Sequence, residues 1–243
     1  MKKVDLTMYS YGELKDMANE MGIKIRRSKV ELMKDISRGF KEYENYKKEK
    51  IDRYKRIMQL GEKGKEGTTY LVETKGKHYA MKTFRKQKSS AMLRKEAELQ
   101  SMAAEVGASP KVIDIDTVSK YIVMEKLDQH LYEILKKNGG NMSRAIQKQI
   151  ITIYKKLDHA GVFHGDANLL NYMFKGRQLY IIDFGMAKEI TNRLVYKLGT
   201  RTPNLNIMTL GLVLKLKEVG ASPSSYSYLV KHLSEEQRSQ FGL

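Results

Sequence analysis

The sequence has no cysteine, so it can build neither a disulfide framework nor a thiolate metal site. It also lacks any apolar run of about 18 residues, the length a bilayer-crossing helix needs. No membrane contact is therefore expected. The opening stretch MKKVDLTMYSYGELKD has no apolar core of the kind a secretory signal carries. These absences together point to an intracellular protein, cytoplasmic or nuclear and not secreted. Acidic residues are in deficit, with 28 Asp+Glu against 45 Lys+Arg and a formal net charge of +17. Such a balance favours polyanions as partners: nucleic acid, acidic proteins or nucleotide phosphates. The excess is densest at the start. Residues 1–56 hold 16 basic and 10 acidic side chains, and residues 57–185 hold 21 and 14.

With 243 residues, 41% apolar and 30% charged, the chain can bury one large core, or a moderate one beside a small appendage. The stretch with the densest chemistry is FHGDANLLNYMFKGRQLYIIDFGMAK, residues 163–188. Asp166 lies on a loop, Asn171 follows five residues on, and Asp183 follows the β-rich segment Leu179–Ile182, with Gly176 in the turn before it. Phosphoryl transfer needs such a set: a carboxylate for the acceptor hydroxyl, and two oxygen donors for Mg²⁺. The pairing of H-x-D-x-x-x-x-N with Asp183-Phe184-Gly185 resembles the catalytic and metal-binding loops of protein kinases. The resemblance implies Asp166 as the catalytic base or hydroxyl-orienting group, with Asn171 and Asp183 as Mg²⁺ ligands. His164 is expected to be structural.

Upstream elements extend the likeness. Gly61, Gly64 and Gly67 precede a β-branched and aromatic run, where a glycine-rich hairpin can bring backbone N–H groups against phosphates. Gly61 stands one residue further from Gly64 than the kinase G-x-G-x-x-G asks. Tyr79-Ala80-Met81-Lys82 resembles the kinase V-A-I-K, which makes Lys82 the expected ligand of the α and β phosphates. Its carboxylate partner on the next helix is Glu96, in a Lys95-Glu96-Ala97 that resembles the R-E-A of compact RIO-like kinases, with Glu98 as the alternative. YIVMEKL, residues 121–127, resembles the kinase hinge strand. Met124 is then expected behind the adenine, and the backbone of Glu125 and Leu127 against its edge. The resemblance implies that these residues together form an ATP site served by Mg²⁺.

Several positions depart from the eukaryotic pattern. Gly165 replaces the arginine that reads a phosphorylated activation loop, so regulation by loop phosphorylation is not expected. Asn168 replaces the lysine that contacts the transferred phosphate. The H-G-D sequence resembles the RIO family, the small kinase of the tRNA-modifying KEOPS complex and the aminoglycoside phosphotransferases. NIMTLGLVL, residues 206–214, resembles the kinase D-x-W-S-L-G-V-I-L helix, with Asn206 in place of the aspartate that buttresses the catalytic loop, so this loop is expected to be braced differently. No A-P-E follows, so the C-lobe and its peptide-docking platform are expected to be truncated.

The N-terminal segment reads as a helical hairpin. Ser10 caps a helix from Tyr11 to Glu20, with Glu13 completing a capping box. Leu14, Met17, Ala18 and Met21 form its apolar stripe, and Gly22 ends it. Ser28 starts the second helix, lined by Val30, Leu32, Met33 and Ile36, with Ile23 and Ile25 packing back. Glu13-Leu14-Lys15, Gly22-Ile23 and Lys29-Val30-Glu31-Leu32 resemble the SAP module and the related N-terminal fold of Rho-type terminators. That resemblance implies contact with DNA or another nucleic acid through Lys24, Arg26, Arg27, Lys29 and Lys34. A helical hairpin that docks on a protein is the other reading of the same residues.

The fold expected is α+β: a two-lobed protein kinase-like fold with a truncated C-lobe, preceded by a small helical SAP-like hairpin. The boundaries are 1–45 for the hairpin, 46–56 for a charged linker, 57–127 for the N-lobe and 128–243 for the C-lobe. The function expected is ATP- and Mg²⁺-dependent phosphoryl transfer to serine or threonine hydroxyls of a protein substrate. A nucleotide-binding scaffold without protein phosphorylation is the alternative. Transfer to a small molecule is disfavoured, because Phe184-Gly185 is generally absent from the aminoglycoside kinases.

Overall fold

The computed structural model describes residues 6–39, 53–62, 64, 66–85 and 87–243, so most of the charged linker and both ends of the expected hairpin lie outside the described residues. The chain divides into two compact units, one running to Lys95 and including Ile113–Met124, the other holding Glu96–Val112 and Glu125–Leu243.

The first unit opens with α1 (Tyr11–Glu20), where the Ser10 side chain accepts from the Glu13 N–H while Glu13 reaches back to the Ser10 N–H. Both ends of the capping box are therefore made, satisfying two donors that a helix start otherwise leaves open. Gly22 takes the left-handed conformation at φ +64° and turns the chain. A second helix, α2, covers residues 29–39. Leu6, Leu14, Met17, Ala18, Leu32 and Ile36 form a small core of their own, with Val118 packed against it. Val30 and Ile25, expected inside, are exposed at 61% and 41%. Two helices enclose only one narrow apolar seam, and the stripe Leu14–Leu32–Ile36 already fills it.

The rest of this unit is a sheet of β1 (Lys55–Leu60), β2 (Gly67–Thr74), β3 (Lys77–Phe84), β4 (Val112–Asp116) and β5 (Tyr121–Glu125), in the order β1-β2-β3-β5-β4. The first two pairings are antiparallel. Lys75 and Gly76 both have positive φ, the two-residue turn whose twist matches that of the strands it joins. Tyr54, Val72, Met81, Tyr121 and Val123 are the buried face. A sixteen-residue helix, α3 (Ser90–Glu105), follows β3. Asp16 of α1 reaches Arg94 of α3 at 3.6 Å.

In the second unit, α4 (Leu131–Lys137) and α5 (Arg144–His159) precede β7 (Val162–Phe163), after the short β6 (Gln129–His130). Ser143 caps α5 by accepting from the Ile146 N–H. Ile150, Ile153, Tyr154 and Leu157 of α5 are almost wholly buried against Val162, Tyr172, Leu179, Ile181 and Phe184. Each such side chain is worth about 1.5–3 kcal/mol of transfer free energy, so this seam anchors the loop that follows it. The strands β8 (Tyr172–Lys175) and β9 (Gln178–Ile181) form a hairpin, and β10 (Lys188–Glu189) pairs back onto β7. Beyond α6 (Asn192–Leu198) come a π-helical turn (Asn204–Met208), α7 (Thr209–Glu218), α8 (Ser227–Val230) and α9 (Glu235–Phe241). The fold is thus α+β, and the helices after α7 are short.

Candidate active site

The loop from His164 to Asn171 is held at both ends. β7 carries it in, paired with β10 through Val162–Glu189 and Phe163–Lys188. A 3-10 turn (Leu169–Asn171) carries it out, capped by the Asn168 side chain, which accepts from the Leu170 N–H at 3.1 Å. Between them Gly165 sits at φ +79°, and a Cβ there would lie 3.2 Å from the Met186 carbonyl oxygen. An arginine at 165 would have to occupy a left-handed conformation against backbone. The glycine is therefore required by this loop's own conformation.

Asp166 and Asn171 meet directly. Asn171 donates from Nδ2 to Asp166 Oδ2 at 2.9 Å, and the Asn168 N–H donates to Asp166 Oδ1 at 3.2 Å. The Asn171 amide is thereby oriented with its Oδ1 left open: that oxygen accepts no hydrogen bond among the described residues. Asp183 follows β9 at φ +67°, a conformation Asp and Asn tolerate better than other side chains. Its Oδ1 accepts from the Gly185 N–H at 3.3 Å. The carboxylate oxygens of Glu96 and Asp183 lie within 4.8 Å of one another. Amide and carboxylate oxygens are hard donors, and the open Asn171 Oδ1 with the exposed Asp183 suits a Mg²⁺ ion. Glu96 is buried on the same face of α3 as Ala97, whereas Glu98 is exposed, which favours Glu96 as the functional carboxylate of that helix.

His164 is fully buried. Its Nε2 bonds the Ile182 carbonyl at 3.0 Å, and its ring meets Phe184 edge-on at 5.0 Å. Burial pushes its pKa below the usual 6.5, with the Ile182 bond and the Asp166 and Asp183 charges acting the other way. The ring therefore stays neutral and ties the catalytic loop to the strand before Asp183. It carries a pH dependence whose sign follows from linkage. The folded protein resists the proton that the unfolded chain accepts, so stability is full above about pH 6.5 and falls as the pH drops below it. The slope is at most about 1.4 kcal/mol per pH unit, ending at the lower folded pKa. Denaturant titrations over that range, with the His164 imidazole followed by NMR, check it; a ring titrating at 6.5 or above would contradict the burial.

The motif put Asn206 where kinases carry the buttressing aspartate, and the loop is braced from Asn204 instead: its Oδ1 accepts from the His164 N–H at 2.9 Å, and its Nδ2 donates to the Val162 carbonyl at 2.7 Å. Asn206 instead donates to the Thr200 hydroxyl at 2.7 Å. Asp158, at the end of α5, was not anticipated at all. Its Oδ1 accepts from the Asn204 Nδ2 and N–H at 2.7 and 2.9 Å, and its Oδ2 from the Leu205 N–H at 3.0 Å. Burial raises the Asp158 pKa, and these bonds partly oppose the rise. No local motif marks this pair; a polar residue at the end of an apolar helix stripe was the only trace.

The remaining expected residues divide between the units. Lys82, on β3, lies 5.0 Å over the Phe84 ring and belongs to the first unit with Gly61, Gly64, Gly67 and Met124. Gly67 faces Phe84 across the β2–β3 ladder, where a Cβ would come 1.8 Å from the Thr83 oxygen, while one on Gly64 would meet only the Gly67 oxygen at 3.5 Å. Gly67 is thus required by strand pairing, independently of any phosphate. In the second unit, the Glu125 N–H is committed to the Lys111 carbonyl at 3.0 Å. Leu127 is buried, and its N–H has no acceptor among the described residues. Lys24, Arg27, Lys29 and Lys34 are exposed; Arg26 is held by Asp35 at 2.8 Å.

A family model described as a protein kinase domain matches residues 54–204. The KEOPS complex subunit Bud32 of Pyrococcus abyssi is 32% identical over 96 residues, 39% of this chain and 44% of that protein. The probable serine/threonine-protein kinase BUD32 homolog of Archaeoglobus fulgidus is 27% identical over 111 residues, covering 46% and 53%. A probable bifunctional tRNA threonylcarbamoyladenosine biosynthesis protein of Methanosarcina barkeri is 28% identical over 127 residues, 52% of this chain and 22% of that protein. The chain spans about half the length of the first two relatives. No helix among the described residues is long and apolar enough to cross a membrane.

Proposed function

Since the chain belongs to the protein kinase domain family, we propose that it transfers the γ-phosphoryl group of ATP to a serine or threonine hydroxyl of a protein. The observation that carries this reading is the 2.9 Å bond from Asn171 to Asp166. It fixes the carboxylate that meets the acceptor hydroxyl and frees the amide oxygen for a cation, both from one contact. Asp166 orients the hydroxyl and takes its proton as the bond to phosphorus forms. Asn171 Oδ1 and Asp183 would hold Mg²⁺, which neutralises charge on the phosphates. Lys82, partnered by Glu96, holds the α and β phosphates, with the backbone of Gly61, Gly64 and Gly67 over them. Met124 and the backbone of Glu125 and Leu127 take the adenine. Most of the rate enhancement then comes from positioning and electrostatic stabilisation.

The domain reading remains 1–45, 46–56 and 57–243, with the first as a module that tethers the kinase to nucleic acid through Lys24, Arg26, Arg27, Lys29 and Lys34. Two relatives' names support partners of this kind: one is a KEOPS complex subunit, and another is a tRNA threonylcarbamoyladenosine biosynthesis protein. A second reading, ATP hydrolysis by a complex-bound scaffold, is favoured by Asn168. Its side chain is engaged on Leu170, so position 168 supplies no cation to the transferred phosphate.

The test is incubation of the full chain with γ-labelled ATP and Mg²⁺, alone and with acidic and basic protein acceptors. Label is read in protein and as free phosphate. Label in protein, lost on chelation, is the expected result. Label released only as phosphate would replace transfer by hydrolysis, and neither would overturn both.

A further inference from the structure

Helix α5 carries a second feature that the catalytic loop does not use. Arg144, Lys148 and Lys155 are exposed and spaced four and seven residues apart, which places them in one stripe on the side away from Ile150 and Ile153. The stripe runs about 16 Å at 1.5 Å per residue. The Arg144 guanidinium lies 5.6 Å from the centre of the Tyr228 ring, and the Lys148 ammonium 6.0 Å from it. His232 meets the same ring edge-on at 5.1 Å. Burial first, and then Lys155, hold the His232 pKa below its ordinary value. None of the three cations forms an ion pair or a side-chain hydrogen bond with a described residue. Like charges four apart on a helix repel, so this cluster has no internal compensation.

We propose that the face made by Arg144, Lys148 and Lys155 with Tyr228 and His232 binds the phosphate backbone of a nucleic acid. A straight row of cations about 16 Å long argues for an extended polyanion over a compact acidic patch on a protein. At 3.4 Å per phosphate along one strand, 16 Å meets about five phosphates. The Tyr228 ring is already flanked by Arg144, Lys148 and His232, so it holds the cations in place and does not serve as a stacking platform for bases. Contact is then to the backbone, sequence-tolerant and salt-sensitive. The overall charge of +17 adds long-range attraction. This face is separate from the N-terminal cations and rests on neither the tether nor the phosphoryl-transfer reading.

The test uses the full chain and a fluorescein-labelled single-stranded RNA of about 20 nucleotides, with a DNA of the same sequence beside it, read by anisotropy across salt concentrations. The comparison is wild type, Lys148→Gln with Lys155→Gln, and Lys24→Gln with Arg27→Gln and Lys29→Gln. Neutralising two phosphate contacts is expected to lower the log–log salt slope by about 1.4 and the affinity about tenfold near 100 mM salt. The N-terminal variant reports its own, additive loss. An unchanged slope in the Lys148/Lys155 variant, with a melting temperature equal to wild type, overturns the proposal. So does displacement of the RNA by polyglutamate at equal charge concentration, which would mark a face for acidic protein. An Asp166→Ala chain should bind RNA like wild type, whatever the outcome for transfer.

Discussion

An Asp183→Asn chain is expected to lose phosphoryl transfer by a factor on the order of 10³ while melting at the wild-type temperature. The substitution is chosen because the backbone at 183 is left-handed, φ +67°, and asparagine accepts that conformation about as readily as aspartate. The asparagine oxygen can still accept from the Gly185 N–H, now 3.3 Å from Asp183 Oδ1. Position 183 is exposed, so no buried charge is created or stranded. What disappears is one formal negative charge beside Glu96, and with it the stronger oxygen donor for a divalent cation. Transfer retained within tenfold at saturating Mg²⁺ would show that Asp183 is not a ligand. Asp183→Ala is a poorer probe, since it removes the turn's side-chain bond and strains the backbone as well.

Much of this was legible in the sequence because its determinants are local. The Ser10–Glu13 capping box and the Gly22 helix end each lie within a few residues, and the structure realises them as read. Asp166, Asn171 and Asp183 stood at spacings that suggested convergence, and Asn171 and Asp166 do bond. The buttress position was matched to Asn206 by motif alone, whereas Asn204 makes the bonds. Asn204–Met208 is a π-helical turn, whose extra residues per turn change which side chain faces the loop. Asp158 was invisible because its partner lies 46 residues away. The exposed Val30 and Ile25 show the converse limit: an apolar residue at helical spacing is buried only where a second surface exists to cover it.

Replacing Asn204 with alanine is expected to cost about 3–5 kcal/mol of stability, a large part of the roughly 5–15 kcal/mol typical of a folded domain. Asn204 is fully buried, and its amide joins the His164 N–H, the Val162 carbonyl and Asp158, of which Asp158 keeps the backbone N–H groups of residues 204 and 205. Alanine leaves the His164 N–H without its acceptor and the Val162 carbonyl without its donor, at about 1–3 kcal/mol each. It also takes from Asp158 the 2.7 Å bond that helps keep that carboxylate ionised. The last effect gives the variant a pH signature. Asp158 already has a raised folded pKa, so its ionised form opposes folding at neutral pH, and removing a bond that lowers the pKa raises it further. The deficit should therefore shrink as the pH falls through that higher value, when the carboxylate takes up a proton. His164 destabilises wild type and variant together over the same range, so its contribution cancels in the difference. Urea titrations of both chains, near neutral pH and at mildly acidic pH, measure that difference. A loss below about 1 kcal/mol near neutrality would mean that water replaces the amide, and that the catalytic loop is held by β7 and its own turn alone.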